Sequence, residues 1–457
     1  MFRAAASPSA RAQIGLAELV SALSHALDIT EGQPVGHGVR CCWIGMQMGQ
    51  ALGFDEPALG DLYYALLLKD VGCSSNAARI CQLYLADDLS FKHGFKQVDS
   101  ALPQILRFVF AHTGLKAGLA ARFRSIVHIA MHGGEIAREL IETRCTRGAE
   151  IARQMRFSEA VAGAILDLDE HWNGNGKPLG RIGNDISPLA RIALLAQVVD
   201  VFFMSSGPEA AIGEVERRTG AWFDPACAAA FLDIARDAQF WTTLAAPDLE
   251  QRVIALEPQQ RSILVDDDYL DDIAAAFAKV VDAKSPYTSG HSDRVALFAD
   301  LIAEQFGFSD ERRRWLKRAA LLHDIGKLGV SNQILDKPGK PDPDEWAAIR
   351  QHPALGETIL GRISALAELA RVAGAHHERL DGKGYPRGLD AVAIDLETRV
   401  VTTADVFDAL TAERPYRAAM SVSQAFAIMD ADAGTAIDPS CLAALKRAML
   451  EVEAAAA

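Results

Sequence analysis

The sequence predicts an all-α fold, and two observations carry that reading: apolar residues recur mostly at helical spacing, and no run of alternating apolar and polar residues marks a strand. At 457 residues the chain is too long for one ordinary core; roughly 100–200 residues per domain implies two or three units, and two is the expectation. Hydrophobic residues make up 50% and charged residues 23%, so a sizeable core can form.

Individual helices can be read in order. In HSDRVALFADLIAEQFGF, from His291, the residues Val295, Phe298, Leu301 or Ile302, and Phe306 fall on one face, and Gly307 supplies the stop. In ERRRWLKRAALLHDIG, from Glu311, the residues Leu316, Ala319 and His323 share a face. Gly326 then stands where a helix end favours a residue free to adopt positive φ.

Self-comparison shows that the two halves resemble each other. GHGVRCCWIGMQMGQALGFDEPALGDLYYALLLKDVG, from Gly36, lies over GHSDRVALFADLIAEQFGFSDERRRWLKRAALLHDIG, from Gly290, at a constant offset of 254. Gly36, His37, Arg40, Gly53, Phe54, Leu67, Leu68, Asp70 and Gly72 match without a gap. Further on, NGNGKP lies over DGKGYP and ARIALLAQVVD over TRVVTTADVFD, both at an offset of 208. The first half therefore carries 46 extra residues between Cys73 and Arg144, around DDLSFKHGFKQVDSALP. The stretch 245–268, with Pro247, Pro258 and the acidic DDD, is the expected junction, which divides the chain into 1–257 and 258–457.

A net charge of -14 opposes general nucleic-acid or anionic-membrane binding, because the summed field repels phosphates before local contacts form. A small anionic substrate can still be held by a local cluster of metal ions, Lys and Arg. The seven cysteines are scattered without a CxxC pair, which reads as buried free thiols in a reducing cytoplasm. The N-terminus lacks an apolar signal core, and even IALLAQVVDVFF carries Gln197 and Asp200, so neither secretion nor membrane insertion is expected.

Seven metal-ligand candidates occur in order in the second half: His291, His323, Asp324, His352, His376, His377 and Asp405. Imidazole and carboxylate together suit first-row metals, and the lack of thiolate argues against a closed structural zinc site. A carboxylate has two oxygens and can bridge two ions where an imidazole cannot, which makes Asp324 the expected bridge. Two ions roughly 3.5–4 Å apart activate a water and stabilise an in-line displacement at phosphorus. Phosphodiester hydrolysis is a natural chemistry for such a set.

HDIGK at 323–327, QHP at 351–353, HHERLDGKGYP at 376–386 and ADVFDALTAERPYR at 404–417 resemble the HD-GYP family in order and spacing. The resemblance covers 282–419 and implies tandem HD-type helical bundles, the second of them catalytic. It implies that His291, His323, Asp324 and Asp405 hold one metal, and that Asp324 bridges to a second bound by His352, His376 and His377. Lys327 would sit by the scissile phosphate. One subgroup has a Glu four residues before the first His and takes a third metal; Tyr287 stands there, so two divalent ions, Fe or Mn, are expected. Gly384, Tyr385 and Pro386 are substrate-binding candidates. Arg414 and Arg417 resemble a basic pair that meets the phosphates and guanines of a cyclic dinucleotide. Glu378 and Asp381 are candidates to accept hydrogen bonds from ligating histidines.

Carried across the repeat, the ligand positions become His37, Lys69, Asp70, Arg144, Leu168, Asp169 and Gln197. Cations at 69 and 144 oppose a divalent ion, so the first half reads as a degenerate HD-like unit, regulatory or structural. Its basic residues would serve as counter-ions to Asp70 and Asp169 or form an anion pocket. His93, His112, His128, His132 and His171 lack a carboxylate at defined spacing and are a poor metal set. The leading expectation is a cytoplasmic phosphodiesterase converting cyclic di-GMP to pGpG, with the further step to GMP left open. The alternatives are another cyclic dinucleotide, or a cyclic-dinucleotide-responsive interaction protein. A homodimer or a signalling-protein partner is expected.

Overall fold

The computed structural model describes residues 15–96, 98, 102–115, 118–258, 264–363, 366–413 and 417–456. Among the described residues every regular element is helical, and β pairing is limited to isolated bridges such as Gly15 with Leu264. The expected all-α architecture is what forms. Residues 259–263 of the expected junction, and Arg414, lie outside the described residues.

The helices form for local reasons that the sequence displays. Asp266 caps Asp267–Asp282 by accepting from the Tyr269 amide, acids fill the first turn and Lys279 stands in the last. Tyr269, Ile273, Phe277 and Val280 of that helix are buried, a stripe at helical spacing. Helix His291–Gln305 buries Val295 and Ile302, and Gly307 ends it at φ 70. Gly326 is not at positive φ; a Cβ there would sit 1.9 Å from the His352 carbonyl oxygen, so close backbone approach is what demands glycine. Gly72 repeats this against Arg144.

The two halves share one apolar core. Leu19 and Leu23 of helix Leu16–Thr30 lie in it with Leu270, Ile273 and Phe277 of helix Asp267–Asp282. A polar seam also joins the halves. Asp88, from the surplus segment, accepts from the Asn332 amide at 2.9 Å and from the buried Lys284 ammonium at 3.4 Å. The same surplus carries a satellite cluster of its own, built on Ile80, Leu83, Phe91, Phe108, Ile129 and Ile136.

One helix, Pro188–Ser206, is long and apolar enough to cross a membrane by length and composition. It is a core helix here, with 67% of its apolar window buried, and its Asp200 is engaged by His37 and Arg40.

Candidate metal centre

Helix ends build the centre. His291 opens His291–Gln305 after Gly290 at φ 66, and His323 and Asp324 follow Asp310–Leu322 and lead into the turn Ile325–Gly329. His352 opens His352–Gly361, and His376 and His377 follow Ala367–Ala375. Asp405 projects from the middle of Leu396–Thr411. The HD and HH pairs thus stand where a chain leaves a helix, which lets adjacent side chains reach one point.

All seven expected ligands converge, and Asp324 divides them. Its Oδ2 lies 3.3 Å from Nε2 of both His291 and His323, while Asp405 Oδ1 is 3.4 Å from His291 Nε2. Its Oδ1 lies 3.3 Å from His352 Nε2 and 3.6 Å from His376 Nε2. His377 completes a compact trio with His352 and His376. Lys327 Nζ is 2.5 Å from Asp324 Oδ2, on the His291 side.

The histidine tautomers are set from outside. The Nδ1 atoms of His323, His352 and His376 donate to the carbonyls of Ala320, Ile349 and Ala373 at 2.6–2.7 Å. His291 Nδ1 is 2.7 Å from Asp408 Oδ2, and Arg294 holds Asp408 in turn. Each of the four thus turns an Nε2 lone pair inward, the arrangement metal-ligating histidines need. His291 Nε2, His323 Nε2 and Asp324 Oδ1 are buried without a hydrogen-bond partner. Orphaned acceptors at the centre of a buried cluster fit cations and little else.

Electrostatics agree. Burial alone would raise the Asp324 carboxyl, but His323, Lys327 and His291 outweigh it and hold it well below the usual range. Burial pushes His376 down to about 4, with His323 and His352 adding repulsion, and it holds His377 well below an ordinary imidazole. His291 and His323 go the other way: against burial, Asp324 and its neighbouring carboxylates raise His323, and Asp324 and Asp408 bring His291 to about 9, so these two rings would release a proton on taking a divalent metal while His376 and His377 are already neutral.

The HD-domain family profile matches residues 110–227 and 275–441, once in each half. A 3'3'-cGAMP-specific phosphodiesterase 3 from Vibrio cholerae is 55% identical over 434 residues, 95% of this chain and 94% of the relative. The chain belongs to the HD-GYP phosphodiesterases of the HD-domain family. A crystal structure of a cyclic GMP-AMP-specific phosphodiesterase from V. cholerae matches with a TM-score of 0.66 at 50% identity, covering 96% of this chain and 98% of that one. The cyclic di-GMP phosphodiesterase response regulator RpfG of Xanthomonas campestris is 38% identical over 214 residues, 46% of this chain and 54% of the relative. The HD-GYP chain is accordingly a hydrolase.

Around the centre, two expectations change. Glu378 turns away from the histidines and accepts the amides of Arg387, Gly388 and Leu389 at 2.7–3.1 Å, fastening the DGKGYPRG loop. Asp381 is engaged by Arg379 and the Lys383 amide. Arg417 directs its guanidinium to the carbonyls of Ala409 and Leu410 and to Met420 Sδ, at the end of helix Leu396–Thr411.

The loop itself reaches the site. A Cβ on Gly384 would lie 2.4 Å from the Glu378 Cα and the Arg379 nitrogen, so this glycine permits close packing, while Gly382 and Gly388 take positive φ. Pro386 is exposed. The Tyr385 ring stands 4.9 Å from the His377 ring, with the Arg350 guanidinium 4.8 Å over it. Trp346, 45% exposed and 6.1 Å from Tyr385, extends this aromatic wall outward. Sequence reasoning missed Asp408, Trp346 and Arg350.

In the first half the same scaffold surrounds different chemistry. His37 Nδ1 meets Asp200 at 2.6 Å and Arg40 holds Asp200, as Asp408 and Arg294 do for His291. Lys69 Nζ, however, lies 2.9 Å from His37 Nε2 and pairs with Asp70, and Arg144 pairs with Asp169. Lys96 reaches Glu31 at 2.8 Å and Asp70 at 3.9 Å. Donors from His37, Cys41 and Asp200, and from Glu31, Asp70 and Cys73, lie close together, but ammonium groups stand among them. The His128 and His132 rings lie 5.1 Å apart, tilted to each other, and His171 stacks on Trp222; none of these lies in a metal-competent group among the described residues.

Proposed function

We propose that the second half hydrolyses a 3',5'-phosphodiester of a cyclic dinucleotide, with 3'3'-cGAMP as the preferred substrate, at two divalent transition-metal ions, Fe or Mn. The division of donors by the two oxygens of Asp324 carries the reading. His291, His323, Asp324 and Asp405 would hold one ion, and Asp324, His352, His376 and His377 the other. The ions would supply a water activated at neutral pH and positive charge at phosphorus. Lys327, beside Asp324 Oδ2, would stabilise the departing 3'-oxygen. Water adds its oxygen to phosphorus, the P–O3' bond breaks and the 3'-oxygen takes a proton, leaving a linear dinucleotide with a 5'-phosphate. Gly384, Tyr385 and Pro386 would border the substrate.

The preference for 3'3'-cGAMP is supported by the V. cholerae relative, whose likeness runs through both halves. Cyclic di-GMP, going to pGpG and GMP, is the second reading, supported by the relative from X. campestris. Residues 1–257 would form a non-catalytic HD-like unit and 258–457 the catalytic one. Seven free cysteines, six of them buried, support a reducing, cytoplasmic setting.

Product analysis on 3'3'-cGAMP, cyclic di-GMP and cyclic di-AMP, with metal quantified in the same samples, tests this. Faster turnover of 3'3'-cGAMP is expected; faster turnover of cyclic di-GMP replaces the first reading with the second. No linear product from a metal-loaded protein overturns both.

A further inference from the structure

The surplus of the first half has no counterpart in the catalytic half, and it presents a surface that the HD-like body does not need. Helix Leu119–Gln154 packs Ile129 and Ile136 against the satellite cluster. On its outer face Leu119, Phe123 and Met131 are 84%, 70% and 72% exposed, with Val127 between them and Phe110 and Leu115 alongside. Residues 119, 123, 127 and 131 are four apart and form a continuous apolar ridge. Soluble surfaces carry single exposed apolar side chains, whereas a ridge of this kind marks an interface.

We propose that this face docks a second copy of the chain, the two long helices packing antiparallel about a two-fold axis that passes between Ile129 and Ala130. Size and charge both select this arrangement. The axis sets Phe123 of one copy level with residue 136 of the other and within a turn of Gly134, where an added Cβ would meet nothing within 4 Å. Bulky and small positions on one helix thus become complementary in the pair.

The same axis sets Arg124 across from Glu135. Both are exposed and lie on the same flank of the ridge, and an antiparallel two-fold places like flanks together. Within its own chain Glu135 meets the exposed His132 at 3.4 Å. A lipid surface fits less well, because an anionic membrane selects a basic polar face. Here Glu135, Glu139 and Glu142 share the exposed surface with Arg124 and Arg138, on a chain of net charge -14.

Sedimentation equilibrium on the full chain tests the proposal. The wild type is expected to dimerise at micromolar concentration, and Phe123→Glu with Met131→Glu to yield a monomer with unchanged helical circular dichroism and hydrolytic rate. Arg124→Glu and Glu135→Arg should each weaken the dimer about tenfold, since each sets like charges opposite twice. Mixing these two variants should restore wild-type affinity, because both cross-pairs become opposite in sign. A monomeric wild type, a dimer indifferent to these changes, or single variants that fail to rescue each other on mixing overturns the proposal.

Discussion

His37 and His291 open equivalent helices in the two halves, and each is held by an aspartate that an arginine holds in turn. What differs is what their Nε2 atoms face. His291 looks onto two carboxylates, Asp324 and Asp405, and the nearby Lys327 ammonium pairs with Asp324. His37 looks onto Lys69 at 2.9 Å. The polar framework that orients His291 is present around His37 as well, and in the first half the Lys69 ammonium stands against it. A scaffold of this kind is kept by folding energetics, because a buried carboxylate needs a positive partner whether metal or ammonium.

The largest expected difference between the halves is catalytic. Asp324→Ala should reduce hydrolysis by on the order of 10³-fold or more and empty the centre of metal, since one side chain serves both groups of ligands. Asp70→Ala, its equivalent, should leave metal content and turnover per folded molecule unchanged. Hydrolysis assays with elemental analysis of both variants decide this; loss of metal on Asp70→Ala would make the first half a metal site.

Stability should show the reverse asymmetry. Lys69→Met leaves Asp70 buried beside a more distant Lys96, and breaking such a pair costs about 3–5 kcal/mol. Adding Asp70→Leu should recover most of that loss, since two apolar residues need no partner. Urea denaturation of the single and double variants measures it, and a double variant as unstable as the single would assign the effect to packing.

The seven ligands were legible in the sequence because His and Asp cluster at motif spacings that few other roles require. The Asp408 contact was less visible, although the internal repeat itself ends on Asp200 over Asp408. An aspartate in a helix gives no sign of which ring it faces. The ammonium groups of Lys92 and Lys96 were invisible for another reason. They lie in the unmatched surplus, where a lysine reads as solvated, yet they are carried inward to Glu31. Gly326 was misread in its cause, since periodicity reports on a helix end and not on a carbonyl arriving from elsewhere.

Glu31 offers a pH test confined to the first half. Burial by itself would raise its carboxyl, but Lys96 and then Lys92 outweigh burial and bring it to about 2, below an ordinary value of 4.5. A depressed folded-state pKa stabilises above the unfolded value, and the contribution disappears as pH falls through the folded one. The wild type should therefore exceed Glu31→Gln by about 3 kcal/mol at neutral pH, with the gap closing between pH 4.5 and 2. Denaturation at stepped pH follows the gap directly. A constant gap across that window would mean that the amide fails through shape rather than charge.

The smallest effect should come from the aspartates behind the two histidines. Asp408→Asn keeps the shape but presents an amide that can turn either its oxygen or its NH₂ to His291 Nδ1, so the inward lone pair of Nε2 is no longer enforced. Loss of such a partner weakens metal affinity by about 10–100-fold. Activity at saturating metal should then recover most of the way, which separates a positioning role from damage to the fold. Asp200→Asn should change neither metal affinity nor turnover, because the ring it orients faces an ammonium. Metal titrations of the two variants side by side therefore ask whether one hydrogen-bonded pair means orientation for metal in one half and burial of charge in the other. Equal losses of affinity would place metal in both halves.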